Sequence, residues 1–241
     1  MKGKVQIDLD DTKGFFKYLA KNPETKSIFD TIALGTLLEL HQLYGTKFTL
    51  LCMYESKGFS LDQVSDRYRS EFQKHCDWLH FGFHGFREDS DYTDATAEQI
   101  YEEYRKTMGE IGRITGITDY ADTICLHGFT GNKEVCRMLK RQGIRCFLTA
   151  DDERCSYYLT DMECRRIETE GSFWDEKEGI MFIRRLTRLE HNETPAEELQ
   201  RALDTKLPLI DLFTHEWLLD REVIRDRLHE CCRWIYSSGI Q

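Results

Sequence analysis

Five apolar, strand-like runs in this chain end on residue types that bind metals or move protons. Val5–Leu9 runs into Asp10-Asp11, Trp78–Phe83 into His84-Gly85, and Thr123–Leu126 into His127-Gly128. Ile144–Thr149 is followed by Asp151-Asp152, and Leu207–Thr214 by His215-Glu216-Trp217. In parallel α/β sheets ligands bind at the carboxyl ends of the strands, so these residues would share one rim. A lone strand-end histidine is more often structural, but a structural rim has no reason to concentrate Asp and His. Carboxylate oxygen and neutral imidazole nitrogen suit Zn²⁺ or another borderline divalent ion with one position left for water. Such an ion lowers the pKa of its water and polarises a carbonyl. A second carboxylate can then act as general base and a histidine on another strand as general acid.

The elements that must carry these residues alternate along the chain. Ile28–Tyr44 has a broad apolar helical face, and Lys47–Met53 follows it as a buried strand after Gly45. Leu61–Cys76 reads as a helix. Ala97–Thr115 is the clearest one, with Thr96 as N-cap, Ile100, Tyr104, Met108 and Ile111 on one face, and Gly116 as the stop. Lys133–Arg141 is a further helix, ended by Gly143. Tyr157–Glu190 breaks the rhythm and reads as an inserted hairpin or two around Gly171 and Gly179. Ala196–Thr205 and Arg221–Tyr236 return to helix. Strands separated by helices predict βαβ units and a parallel sheet or barrel. With no Gly/Ser-rich linker and no repeat, 1–241 is expected to be one domain.

Composition narrows the classes of function. A formal net charge of −10 argues against a general nucleic-acid or anionic-membrane partner. The Arg184-Arg185 pair is too short to change that expectation. The acidic start of the chain leaves no room for the ~7–15 apolar residues of a secretory signal. No run approaches the ~20 apolar residues of a membrane helix. The nine cysteines form no C-x-x-C pair, which excludes the common zinc-finger spacing. A reduced, cytoplasmic protein is the expectation.

The order of these motifs resembles the polysaccharide deacetylases (the NodB-like carbohydrate esterases). Asp10-Asp11, within Ile7-Asp8-Leu9-Asp10-Asp11-Thr12, is similar to the family's aspartate pair after its first strand. Gly82-Phe83-His84 resembles the strand ending in its first metal histidine. Gln99–Thr115-Gly116 looks like its helix ending in Thr-Gly, and Leu212-Phe213-Thr214-His215 like its closing motif. The resemblance spans most of the chain, and order and spacing carry it.

It implies a distorted α/β barrel of about seven parallel strands, with Asp10 as general base, Asp11 and His84 as metal ligands and His215 as general acid. It implies a divalent cofactor, Zn²⁺ first, and removal of an acyl group from an N-acylated sugar or similar small molecule. The departures concern the third ligand. The family's second metal histidine lies where this chain has Glu88, and its arginine-proline-glycine motif is replaced by Leu126-His127-Gly128-Phe129. His127 is preferred to Glu88 because a strand-end side chain is aimed at the site more reliably than a loop carboxylate; both stay open. His80, four residues before His84, reads as a packed residue below the rim. Asp151 and Asp152 stand where the family has an aspartate that orients the missing arginine, and join Glu216 and Trp217 as expected substrate-binding residues. Two alternatives stand beside the hydrolase: a metal-free saccharide-binding or regulatory relative, and a glycoside hydrolase using Asp10 and Glu216.

Overall fold

Apolar side chains at every position of a strand need cover on both faces, and Phe48–Met53 is buried along its whole length. That pattern is met in the centre of a parallel sheet with helices outside and a filled interior. The computed structural model describes residues 4–152, 156–204, 207 and 209–240. The strands are β1 (Lys4–Thr12), β2 (Phe48–Met53), β3 (Glu55–Ser56), β4 (Phe59–Ser60), β5 (Leu79–Gly85), β6 (Thr123–Ile124) and β7 (Cys146–Thr149). They continue with β8 (Ser172–Asp175), β9 (Ile180–Arg184), β10 (Thr187–Arg188) and β11 (Leu209–His215). The α-helices are α1 (Gly14–Lys21), α2 (Ile32–Tyr44), α3 (Arg69–Gln73), α4 (Ala97–Thr115), α5 (Lys133–Arg141), α6 (Asp161–Glu170), α7 (Pro195–Asp204) and α8 (Glu222–Ser238).

Two parallel ladders make the barrel wall. One has the order β10-β11-β1-β2-β5, with every pairing parallel. The other pairs β6, β7 and β9 in parallel and adds β8 antiparallel at its edge. The distorted barrel of parallel strands expected from the sequence is present, its wall divided between these two ladders. The seam on one side is held by Ala121 N–H donating to Phe81 O at 2.8 Å. On the other side the chain itself crosses, since β9 ends at Arg184 and β10 starts at Thr187. Phe81, Phe83, Phe147 and Phe182 fill the interior and the helix-facing layer.

Helices α4 and α5 keep the bounds read from sequence, because each has a complete cap. Thr96 Oγ1 accepts from Gln99 N at 3.1 Å, and Gly116 takes the left-handed conformation at φ 70°. Asn132 Oδ1 accepts from Val135 N at 3.0 Å. Leu61–Cys76 departs from the expected helix: two short 3₁₀ turns, Leu61–Gln63 and Asp66–Tyr68, precede the five-residue α3. Ser65 restarts the chain there, its Oγ accepting from Arg67 N at 3.3 Å. In the 157–190 segment a hairpin is present, β8 with β9, but α6 precedes it where strands were expected. The capping box between Thr160 and Glu163 starts that helix. The expected end of the 196–205 helix, at Thr205, lies outside the described residues. Among the described residues no helix is long and apolar enough to cross a membrane.

Candidate metal and catalytic site

Successive residues of a regular strand point to opposite faces, so Asp10 and Asp11 could not both face the rim without a break in β1. The break is present. Pairing between β1 and β2 shifts register between Leu9 and Thr12, and Asp11 sits at φ 54°. A non-glycine residue in this region is strained, and bulges of this kind re-aim side chains. A second register shift, between Cys52 and Met53 of β2, brackets His84 in the facing β5. Two bulges therefore turn a carboxylate and an imidazole toward each other.

The result is a cluster around one oxygen. Asp11 Oδ1 lies 3.3 Å from His84 Nε2 and 3.9 Å from His127 Nε2, and no donor is aligned on it. The rings of His84 and His127 are 5.5 Å apart at 87°. His84 Nδ1 is 2.6 Å from the carbonyl oxygen of Cys125. A carbonyl only accepts, so Nδ1 carries the hydrogen and Nε2 is the nitrogen turned to Asp11. A backbone carbonyl behind a histidine is how metal-binding tautomers are fixed, and it leaves Nε2 as the nitrogen free to ligate. Burial works to raise the Asp11 carboxyl, but His84, Lys13 and His215 outweigh it and hold it well below the usual range. Burial, then the nearby His84, pushes the pKa of His127 down, the direction that favours the neutral ring. Asp11 thus has one imidazole nitrogen from each of two histidines within 4 Å, the donor types a divalent ion takes. Asp10, His84 and Cys125 also place one ligand atom each within 4.8 Å of one another. That set fits less well, because burial pushes the Cys125 thiol far up and Arg185 already binds Asp10.

Arg185 supplies the cation whose absence the motif order implied, and from a different strand. It follows β9 at the seam between the ladders and is fully buried. Its Nη1 donates to Asp10 Oδ2 at 2.5 Å and its Nε to Asp211 Oδ2 at 2.7 Å, with Nη2 3.5 Å from Asp8 Oδ2. The guanidinium carbon stands 3.5 Å from the centre of the Phe213 ring. Three carboxylates around one guanidinium leave excess negative charge. Burial, followed by Asp211, raises Asp8 well above the carboxylate range, and burial also raises Asp211. Asp10 keeps its other oxygen, Oδ1, buried and without a hydrogen-bond partner, which leaves it able to accept a proton.

His215 stands beside Asp10 because β11 pairs with β1 in the register Asp10↔His215. Its Nδ1 donates to Glu190 Oε1 at 2.7 Å, and Glu190 Oε2 accepts from Thr214 Oγ1 at 3.0 Å. Burial works against charge on His215, but Glu190 and then Asp10 outweigh it, and its pKa is raised. Trp217 is 56% exposed and its ring lies 5.8 Å from that of His215.

Five other residues singled out in the sequence have contacts of their own. Glu216 is buried, and its carboxylate accepts from Gly14 N and Phe15 N, so it does not face the rim. Glu88, 64% exposed, pairs with Lys13 Nζ at 3.0 Å instead of joining the imidazoles. Asp151 is paired with Arg188 at 2.7 Å. Asp152 lines a cavity of about 20 Å³ with Ser156 and Arg184. His80 is half-buried low on β5, near Lys47, Asp77 and Asp119, and burial lowers its pKa. With both oxygens of Glu216 held by the α1 amides, one of the two carboxylates of the glycosidase alternative does not face the rim.

Sequence reading missed Arg185 and Glu190. The alternation of Gln6, Asp8 and Asp10 with Val5, Ile7 and Leu9 was a signal for the first, since an inward acidic stripe calls for a buried cation. Glu190 carried no comparable signal in a charged stretch.

The architecture defines a class: parallel β/α barrels with an acidic and histidine-rich mouth. Within that class the fold is that of the CE4 polysaccharide deacetylases, in line with the resemblance read from the motif order. A putative polysaccharide deacetylase from Mycobacterium smegmatis superposes with a TM-score of 0.61 at 10% identity, over 96% of this chain and 84% of that one. A family 4 acetyl xylan esterase from Clostridium thermocellum, solved with a cobalt ion, gives 0.52 at 12% identity, over 98% and 85%. A CE4 family pseudoenzyme from Bacillus anthracis gives 0.53 at 12% identity, and this chain spans 63% of its length. No protein-family profile and no curated protein sequence matches this chain.

Proposed function

We propose that the protein is a metal-dependent hydrolase that removes an acyl group, acetyl first, from an N-acylated sugar or similar small molecule. The observation that carries this reading is Asp11 Oδ1, which faces two imidazole nitrogens with no hydrogen aligned on it. Asp11, His84 and His127 would hold the ion, with Zn²⁺ suited to two nitrogens and one oxygen. When bound, the ion would polarise the acyl carbonyl and acidify water. The remaining steps belong to the chain. Asp10, held on one oxygen by Arg185, takes the proton from the attacking water on its other oxygen. His215, whose pKa Glu190 raises, gives a proton to the leaving nitrogen as the C–N bond breaks. Trp217, exposed beside His215, offers a flat face for the apolar side of a sugar ring.

Saccharides fit as the partner class because the named neighbours include an acetyl xylan esterase. The test is acetate release from N-acetylglucosamine oligosaccharides by protein loaded with zinc, stripped with chelator, and reloaded. Activity that disappears on stripping and returns on reloading supports the reading. His215→Ala should lower the rate by the ~10²–10⁴-fold that general acids contribute. A second reading is a metal-free saccharide-binding relative. It is favoured by the Lys13–Glu88 ion pair, which stands where the resemblance places the second metal histidine. Oligosaccharide binding without metal and without acetate release would select it.

A further inference from the structure

Helix α1 begins without help from its own sequence. Lys13 at its N-cap makes no side-chain capping hydrogen bond, and its first turn has no acidic residue. A helix start in the interior must still satisfy its first amides. Glu216 does so from the far end of the chain: Oε2 accepts from Gly14 N at 2.6 Å and Oε1 from Phe15 N at 2.9 Å. The fit leaves no slack. A Cβ on Gly14 would lie 2.4 Å from Oε2 and 2.9 Å from Oε1, so the glycine is there for the carboxylate.

What this bond joins is more informative than the cap itself. Glu216 directly follows His215, and Gly14 lies just beyond Asp10 and Asp11. The β1–β11 ladder stops at the pair Asp10↔His215, and Asp11 has already left it with φ 54°. Beyond that last rung no strand pairing relates Asp11 to His215, and the next tie between the two segments is the Glu216 carboxylate. We propose that Glu216 is a positioning residue that fastens the Asp11 turn to the His215 end of β11 and so fixes the metal-binding carboxylate relative to the proton donor. This rests on the hydrolase reading above for the roles of Asp11 and His215, and on geometry alone for the clamp.

The experiment compares Glu216→Ala, Glu216→Gln and Gly14→Ala with Thr96→Ala, which removes an ordinary N-cap from α4. Each is followed by thermal unfolding, by amide hydrogen exchange at Gly14 and Phe15, and by zinc titration. Glu216→Ala should lower zinc affinity by the ~10–100-fold seen when a supporting contact to a ligand is lost. Gly14→Ala should match it, and Glu216→Gln, which keeps one acceptor oxygen, should recover part. Thr96→Ala should lose thermal stability with zinc affinity unchanged. Protection at Gly14 and Phe15 should fall in Glu216→Ala while the α4 amides stay protected. Unchanged protection there, or a Glu216→Ala protein that loses stability yet binds zinc like the wild type, would overturn the proposal. Wild-type protein that takes up no zinc would defeat the hydrolase reading, and hydrogen exchange would still decide the clamp.

Discussion

His84 donates to a carbonyl with one nitrogen and faces a carboxylate with the other, and this polarity is what distinguishes it from a packed histidine. It follows that His84→Ala should abolish zinc uptake, and His127→Ala should weaken it by more than the ~10–100-fold of a supporting contact. Glu88→Ala should change it little, because Glu88 is bound to Lys13 and stands at the surface. Isothermal titration of the three variants checks this ordering, and equal loss in the Glu88 variant would reassign the third ligand. The His215–Glu190 pair makes a pH prediction. His215 is raised from 6.5, so its share of stability is complete below that pH and is lost as pH rises through the folded-state value. Glu190 is lowered from 4.5, so its share is present above that pH and is lost as pH falls. The difference in melting temperature between wild type and His215→Gln should therefore be largest between about pH 4.5 and 6.5, and should shrink on either side. Asp10, Asp11, His84, His127 and His215 were legible in the sequence because each is a polar residue ending an apolar run. Arg185 was not, since nothing in Arg184-Arg185 says which guanidinium turns inward. Arg185→Leu leaves three carboxylates buried without their cation and should cost about 3–5 kcal/mol in denaturant unfolding.

Elements with complete local signals kept their expected bounds, and those defined by tertiary contacts did not. Helices α4 and α5 have a capping residue, an apolar face and a stop, and the sequence alone delimits them. Helix α6 had a signal as well, Thr160-x-x-Glu163 with Gly171 after it, but its aromatic neighbours Tyr157 and Tyr158 suggested strand instead. Thr160→Ala should cost about 0.5–2 kcal/mol in thermal or chemical unfolding, the usual range for a lost cap, with no effect on zinc affinity. The 61–76 segment failed as a helix because Ser65 restarts it, and its apolar residues Leu61, Val64, Tyr68 and Phe72 are buried by turns instead of one continuous face. Strand bulges are the least legible feature of all. The positive φ of Asp11 depends on how β1 meets β2, and no residue type in Leu9-Asp10-Asp11-Thr12 announces it.

The whole barrel explains why the site lies where it does. Two parallel ladders meet at β5 and β6 on one side and at Arg185 on the other, and the candidate site spans both. Asp10, Asp11, His84 and His215 come from the first ladder, while His127 and Arg185 come from the second and its edge. A site built across both seams requires them to fold as one unit, so 1–241 should unfold in a single cooperative step. Coincident transitions by far-ultraviolet circular dichroism and by fluorescence of the buried Trp78 check this. The parallel barrel was legible from the alternation of strands and helices, whereas its division into two ladders was not, because the break lies in how β5 meets the segment before β6 through the Ala121–Phe81 hydrogen bond. The central claim is that Asp11, His84 and His127 form a metal site, and X-ray anomalous scattering at the zinc edge from crystals of zinc-loaded protein tests it most directly. The account predicts one strong peak in contact with the Asp11 carboxylate and with Nε2 of both His84 and His127. A peak held by Asp10 and Cys125 instead, or no peak at the mouth of the barrel, would contradict it.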